Sequence, residues 1–346
     1  MSANHDSEFV PVVRSSAAIT DQFSADPLSD ALETVRLRAA VFFFWEPSWP
    51  FTTAVPSGAR FGPLILPGAG RIVSYHIVTR GPCWGAVAGA EPMRLDTGDI
   101  LLVPHGDPYV MSNDPVPPPG KEDPSALAFF RMMAAGELPA RVVDGGPGPG
   151  SNSLVCGFLG CDGRPFNPVL AALPRLVRIP ASAASEHDPL GGLVDFAVRE
   201  SHSDQGGGRC VLLRLAEMMF VEVLRRYLAT APADAKGWLA SLRDPLVGCA
   251  LRLLHGSPAA AWTLDRLARE AGTSRTVLAE RFSVLVGEPP MAYLTRWRMQ
   301  LAARQLADGP CKVHAVARAV GYESEAAFSR AFKRTVGVAP SRWRPG

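Results

Sequence analysis

The stretch Leu267-Ala268-Arg269-Glu270-Ala271-Gly272 returns 49 positions later as Val316-Ala317-Arg318-Ala319-Val320-Gly321. Beyond the glycine the offset becomes 50. Ser274 then matches Ser324, Leu278 matches Phe328, Phe282 matches Phe332, and Gly287 matches Gly337. Pro290 matches Pro340 and Tyr293 matches Trp343. A repeat of this length marks two copies of one structural unit. Each copy reads as helix, tight turn, helix. Gly272 and Gly321 stand where a helix must close in the left-handed region, which glycine enters without steric cost. Ser274 and Ser324 suit the N-cap of the next helix. Leu278, Phe282 and Leu285 are four and three apart and line one face; Phe328 and Phe332 repeat the pattern. Gly287 and Gly337 stop these helices, and the prolines beyond prevent continuation. In copy one Thr263 caps the first helix, with Trp262 and Leu267 at the staple positions on either side. The units fall at about 263–287 and 312–337.

Two such units make a tandem helix-turn-helix, in which the second helix of each lies in the DNA major groove. Between them residues 290–307 have helical character. An 18-residue helix spans about 27 Å, comparable to the roughly 34 Å between successive major grooves on one face.

The charge of the chain agrees once it is divided. The 346 residues carry a formal charge of only +2. Residues 245–346 hold 15 Lys+Arg against 7 Asp+Glu, a net of +8, which leaves −6 for the rest. A basic third beside an acidic remainder suits one domain that meets a polyanion and one that does not. The length favours two domains, and 47% hydrophobic content supplies their cores. No apolar run approaches the roughly 18 residues of a membrane helix. The polar start, residues 1–9, has no secretory pattern, so a cytoplasmic chain without membrane partners is expected. Six cysteines do not make a disulfide scaffold.

The basic third resembles the DNA-binding domain of the AraC/XylS family of bacterial transcription regulators. The resemblance rests on Trp262-Thr263-Leu264, Ala271-Gly272-Thr273-Ser274-Arg275, Gly287-Glu288-Pro289-Pro290, Tyr293-Leu294-Thr295-Arg296-Trp297-Arg298-Met299, Val320-Gly321-Tyr322-Glu323-Ser324 and Phe328-Ser329-Arg330-Ala331-Phe332-Lys333-Arg334. It implies promoter DNA as partner, with RNA polymerase and a second copy of the chain as further partners. Carried over by position, it implies groove contacts at Arg275, Thr276, Ala279 and Glu280 in copy one. In copy two it implies them at Glu325, Ala326, Ser329 and Arg330. Arg330 suits a bidentate contact to guanine, and Glu280 or Glu325 an acceptor for cytosine. Lys333, Arg334 and the helix starts at Ser274 and Ser324 suit phosphates.

The acidic part reads as a polar tail (1–24), a short helix from Asp26, and strands at 40–45, 70–79, 83–87, 92–95, 99–103 and 154–159. Short strands with Gly/Pro turns favour a sandwich or barrel. Residues 98–107 resemble the second signature motif of cupin barrels, and Arg71-Ile72-Val73-Ser74-Tyr75-His76 part of the first. Asp26-Pro27-Leu28-Ser29, His76 with Gly81-Pro82-Cys83-Trp84, and Leu154-Val155-Cys156-Gly157 resemble the cupin-type sensor of one AraC subfamily. The fold class implied is α+β in two domains: an N-terminal cupin-like β-barrel with flanking helices, and a C-terminal all-α tandem helix-turn-helix. The division expected is a sensor over 25–180, a helical linker and dimerisation region over 181–244, and the DNA-binding domain over 245–346. The sensor takes a small molecule or an oxidant, with His76, Cys83, Trp84, Tyr109 and Cys156 as candidate residues. His76 stands alone in the first motif, and Tyr109 occupies the histidine position of the second. That set is poor for a divalent ion, so no metal, cofactor or catalytic residue is assigned. The rival reading is a cupin enzyme fused to a DNA-binding module.

Residues 113–152, with Pro115-Val116-Pro117-Pro118-Pro119-Gly120 and Gly145-Gly146-Pro147-Gly148-Pro149-Gly150, read as mobile loops. Residues 189–229 read as two helices around Gly206-Gly207-Gly208. The second presents Val211, Leu212, Leu215, Met219, Val223 and Leu224, which either cover the barrel or pair with another subunit. Cys210 and Cys249 are expected in the core, and Cys311, at the repeat position of Trp262, in a staple-like role. Cys156 and Cys161 would face opposite sides of one strand, too far apart to bond.

Overall fold

The computed structural model describes residues 26–35, 37–116, 126–143, 152–161, 166–181, 188–201, 203, 205–230, 237–309 and 311–343. The tail at 1–24 and the Gly/Pro run at 145–150 lie outside the described residues.

The first described element is helix α1 (Pro27–Val35), and strand β1 (Leu37–Glu46) is next in the chain. Asp26 starts the helix: its carboxylate accepts from Leu28 N–H at 3.1 Å and from the Ser29 hydroxyl at 2.6 Å. There follow β2 (Thr52–Val55), α2 (Gly58–Ile65), β3 (Arg71–Arg80), β4 (Cys83–Val87), β5 (Met93–Leu95), β6 (Ile100–Val103) and β7 (Tyr109–Ser112). Next come α3 (Ala126–Ala135), β8 (Arg141–Val143), β9 (Ser153–Cys161), α4 (Pro168–Ala172) and β10 (Val177–Ile179).

The strands form a six-stranded sheet, ordered β10-β6-β3-β9-β1-β8, and a four-stranded one, ordered β2-β7-β4-β5. The larger sheet is buried on both faces, and its side chains sort by alternation. Phe43, Trp45, Leu101, Val103, Cys156 and Phe158 enter the core between the sheets. Phe42, Phe44, Ile100, Leu102, Val155 and Leu159 enter the core behind it. Tyr75 is on the rear face, opposite Gly157 of β9. A Cβ at Gly157 would collide with the Tyr75 ring, so glycine there lets the ring lie flat. The Tyr75 hydroxyl then donates to the Ala216 carbonyl at 3.2 Å.

Ala216 belongs to α6 (Gly208–Thr230), which follows α5 (Pro189–Ser201). Leu215, Met219, Val223 and Leu224 of α6 are buried in this rear core, so that stripe covers the sheet. Cys210, expected in the core, is exposed near the start of α6, before the stripe turns inward. Cys249 is only partly buried. Residues 113–152 are not all loop: α3 and β8 lie within them, and Phe130 of α3 is buried.

The C-terminal region is helical: α7 (Trp238–Ser241), α8 (Pro245–Gly256), α9 (Leu264–Glu270), α10 (Arg275–Val286), α11 (Pro290–Asp308), α12 (Val313–Ala319) and α13 (Glu325–Val336). Pro340–Arg342 then make one turn of 3-10 helix. Thr263, Ser274 and Ser324 cap α9, α10 and α13 by accepting from Arg266, Val277 and Ala327 N–H. Gly272, Gly287, Gly321 and Gly337 all sit in the left-handed region, with φ of 73°, 88°, 81° and 92°. The repeat extends to the aromatics: Tyr293 packs on Phe282 at 5.7 Å, and Trp343 on Phe332 at 6.1 Å. Cys311 departs from it and is exposed; a thiol is too short to reach across the cap as Trp262 does.

The two units differ in their cores. Leu267, Leu278, Phe282, Tyr293 and Trp297 of the first are continuous with the core behind the larger sheet. Met299, Ala303, Val316, Phe328, Phe332 and Trp343 of the second form a separate core. The change comes within α11, between Trp297 and Met299.

Candidate functional site

The recognition helices α10 and α13 bury Leu278 with Phe282, and Phe328 with Phe332. At 100° per residue the directions opposite these pairs fall on Glu280 and Arg330. Both are exposed, as are Arg275, Thr276, Glu325, Ala326 and Lys333; Ala279 and Ser329 are half-buried at the edges.

The helices differ in charge. On α10 Arg281 is taken by Asp244, whose Oδ2 accepts from Nε and Nη2 at 2.8 and 2.6 Å. Asp244 also caps α8 by accepting from Leu246 and Val247 N–H. Burial pushes the Asp244 carboxyl up, but Arg281 and the two amides outweigh it and hold the group below the usual range. Arg275 lies 3.8 Å from Asp265, and Arg266 of α9 pairs with Glu270 at 2.8 Å. On α13 Arg330, Lys333 and Arg334 have no carboxylate partner among the described residues.

The sensor has a cavity of about 250 Å³ between its sheets. Phe43, Trp45, Phe129, Phe130 and Phe158 supply aromatic walls, and Thr53, His76 and Cys156 the polar atoms. Among the described residues no Lys, Arg, Asp or Glu lines it. His76 Nδ1 is 3.0 Å from Cys156 Sγ, and Nε2 is 2.5 Å from the Tyr109 hydroxyl. β3, β9 and β7 bring these three together from distant parts of the chain. Burial holds the imidazole down at about 3, so it is neutral near pH 7. A neutral imidazole donates from one nitrogen and accepts at the other, which gives the Tyr109–His76–Cys156 chain a direction. Burial likewise pushes up the Tyr109 phenol and the Cys156 thiol.

Cys83 and Trp84, grouped with these residues from the sequence, do not line the cavity. Cys83 is buried elsewhere between the sheets with its thiol pushed up to about 12, first by burial and then by Asp99 and Asp96. Trp84 is half-buried at the neighbouring position of β4. The walls from α3 escaped sequence reading. The apolar run Ala126-Leu127-Ala128-Phe129-Phe130-Arg131-Met132-Met133 was the available signal.

Cupin barrels commonly hold a metal, but these residues do not fit one. Both nitrogens of the single imidazole are engaged, and the phenol and thiol beside it hold their protons. Among the described residues no group of three or more His, Cys, Asp or Glu is placed to bind an ion.

Between sensor and first unit lies a polar seam. Gln300, in the middle of α11, donates from Nε2 to the Thr34 carbonyl at 3.3 Å and accepts from Phe166 N–H at 2.9 Å. The Arg296 guanidinium lies 3.6 Å over the Phe166 ring. Asp30 Oδ2 is 3.3 Å from His255 Nδ1. The His255 ring stacks on Trp297 at 4.1 Å, and its Nε2 lies 2.7 Å from the Tyr293 hydroxyl. Burial lowers the His255 value against the pull of Asp30.

The Cupin family matches residues 26–229, and the Helix-turn-helix domain family residues 267–346. A putative AraC-like transcription regulator of Streptomyces lividans is 34% identical over 92% of this chain and 98% of its own. The HTH-type transcriptional regulator AlkR of Acinetobacter baylyi is 30% identical over 78% of this chain and 86% of its own. The solved structure of unsaturated-fatty-acid-bound ToxT from Vibrio cholerae covers 88% of this chain and 95% of that one, at 11% identity and a TM-score of 0.32. No helix among the described residues is long and apolar enough to cross a membrane.

Proposed function

The chain belongs to the AraC-like transcription regulators, and from that premise we propose a cytoplasmic homodimer whose cupin cavity takes an uncharged, largely apolar small molecule and whose two recognition helices read promoter DNA. The observation that carries the effector reading is the cavity itself, with five aromatic walls, Thr53, His76 and Cys156 as its polar lining, and no charged lining residue among the described residues. A charged ligand would leave water for a site whose described lining holds no counter-charge, which is costly. An aromatic or alkyl compound with a single hydrogen-bonding group meets what the walls offer. The small molecule is preferred to an oxidant because Cys83 and Cys156 are buried and held as thiols, whereas the reactive species is the thiolate. An enzyme is disfavoured because no metal-ligating set or paired acid and base lies at the cavity among the described residues.

The division of labour is a sensor over 25–180, helices for dimer contacts over 181–244, and DNA binding over 245–346. Phe196 and Met218, exposed on α5 and α6, are the apolar groups offered for the dimer. The DNA contacts are Arg275, Thr276, Ala279, Glu280, Glu325, Ala326, Ser329 and Arg330, with Lys333 on phosphate. RNA polymerase is the further partner.

Effector occupancy reaches the DNA-binding region through the seam. α1 precedes β1, which carries Phe43 and Trp45 of the cavity, and Thr34 in the last turn of that helix accepts from Gln300. A thermal-shift screen of the full chain with neutral aromatic, neutral alkyl and charged compounds tests the reading. Stabilisation by neutral compounds, abolished by Ala54→Trp in the cavity wall, supports it. Stabilisation by charged compounds alone refutes it.

A further inference from the structure

We propose that Val277 is a base-reading residue that takes a thymine 5-methyl group, so that the first unit reads DNA through apolar and acceptor contacts while the second supplies the electrostatic anchor. The inference rests on the proposed regulator function and adds a residue that neither the repeat nor the family resemblance assigns to DNA.

Val277 is the third residue of α10, just inside the Ser274 cap, and is 48% exposed. It lies on the outward side with Thr276, Glu280 and Val284, away from Leu278 and Phe282. An aliphatic β-branched side chain in water at this point contributes neither to the core nor to helix propensity. Recognition helices meet base edges with their N-terminal residues. Val284 is 62% exposed but about 10 Å further along the axis, at 1.5 Å per residue, which leaves Val277 as the base reader. An aliphatic group cannot donate or accept a hydrogen bond. Its one matching feature in the major groove is the thymine methyl. Glu280, three residues on and on the same face, is an acceptor that matches the cytosine amine.

The cations make the same division. Arg281 is held by Asp244, Arg275 faces Asp265, and Arg266 is paired with Glu270. Fifty positions on, Val277 is replaced by Ala327, Glu280 by Arg330 and Val284 by Arg334, with Lys333 beside them. The second unit therefore presents positive charge with no carboxylate partner among the described residues where the first presents two valines and a carboxylate. Counterion release, and with it the salt dependence of binding, is concentrated in the second unit.

The test uses the full chain and an operator selected from a random duplex pool. The half-site at which Arg330→Ala relaxes selectivity marks the second unit. In the other half-site each thymine is replaced singly by uracil, which removes only the methyl group. Wild type is expected to lose about four-fold in affinity at one position, the worth of one buried methyl-sized group. Val277→Ala is expected to bind thymine and uracil forms equally there, while its thermal midpoint and its slope of log Kd against log salt stay at wild-type values. A thymine-to-uracil ratio unchanged by Val277→Ala, or no uracil-sensitive position in that half-site, overturns the proposal. Failure of the pool to yield any preferred sequence would instead overturn the regulator reading itself.

Discussion

Gln300 donates a hydrogen bond to the main-chain carbonyl of Thr34, 266 positions earlier in the chain. Its other amide atom accepts from Phe166 N–H. One side chain on the helix joining the two DNA-reading units thus satisfies one buried and one partly buried backbone group of the sensor. Replacing it strands both, and a buried unsatisfied group costs about 1–3 kcal/mol. Gln300→Ala is expected to lower global stability by that order and to speed hydrogen exchange at the Phe166 amide. Thermal denaturation together with exchange at Phe166 checks this, and unchanged protection there would contradict the seam.

His76 gives the sensor a pH dependence. Its folded value is about 3 against 6.5 for a free imidazole. Below pH 6.5 the unfolded chain takes up a proton that the folded chain refuses. Stability is therefore complete above 6.5 and is lost as pH falls toward 3, at up to about 1.4 kcal/mol per pH unit for this one group. His76→Gln is expected to flatten the profile by that amount when denaturant midpoints are compared between pH 4 and 7.

The proposed contacts give base reading to Arg330 and phosphate binding to Lys333. Arg330→Ala is expected to cost about 1–3 kcal/mol on the selected operator and to relax preference at one base pair. Lys333→Ala is expected to weaken all sequences alike and to lower the salt slope by about one. Competition binding across operator variants at several salt concentrations distinguishes the two patterns, and identical behaviour would contradict the assignment.

Asp244 both caps α8 and holds Arg281, and two substitutions part those roles. Asp244→Asn keeps the cap and releases the arginine; Asp244→Ala loses both. A lost cap costs about 0.5–2 kcal/mol, whereas an ion pair with its arginine largely in solvent contributes little. The asparagine variant is expected within a few tenths of a kcal/mol of wild type, and alanine about 1 kcal/mol below it, by thermal denaturation.

The helical third was legible because its signals are local. Caps at Thr263, Ser274 and Ser324 and left-handed glycines at 272, 287, 321 and 337 fix each turn within a few residues. Copying between units exposed the pattern, and it misled at Cys311, where the repeat position was kept but the bulky side chain was not. The sensor was less legible because its strands are buried on both faces. Val73 and Tyr75 face one core while Ile72 and Val78 face another, so polar-apolar alternation is absent. Helix α3 was hidden for a related reason: its apolar run lacks a polar stripe and lies between Pro- and Gly-rich segments. Cys156, His76 and Tyr109 were each identified, but their hydrogen-bonded chain depends on the register of β3, β9 and β7, which no local pattern specifies. The Gln300 seam joins the sensor's first helix to α11 and had no sequence signal, because Gln300 is one of several polar residues in that helix.

Two recognition helices held on α11 are proposed to read one duplex at two places. Hydroxyl-radical footprinting of the full chain on the selected operator tests it most directly. Two protected patches are expected on one face of the duplex, about 34 Å or one helical turn apart, with Arg330→Ala weakening one patch more than the other. Uniform weak protection along the duplex, or a single patch unaffected by Arg330→Ala, would contradict it.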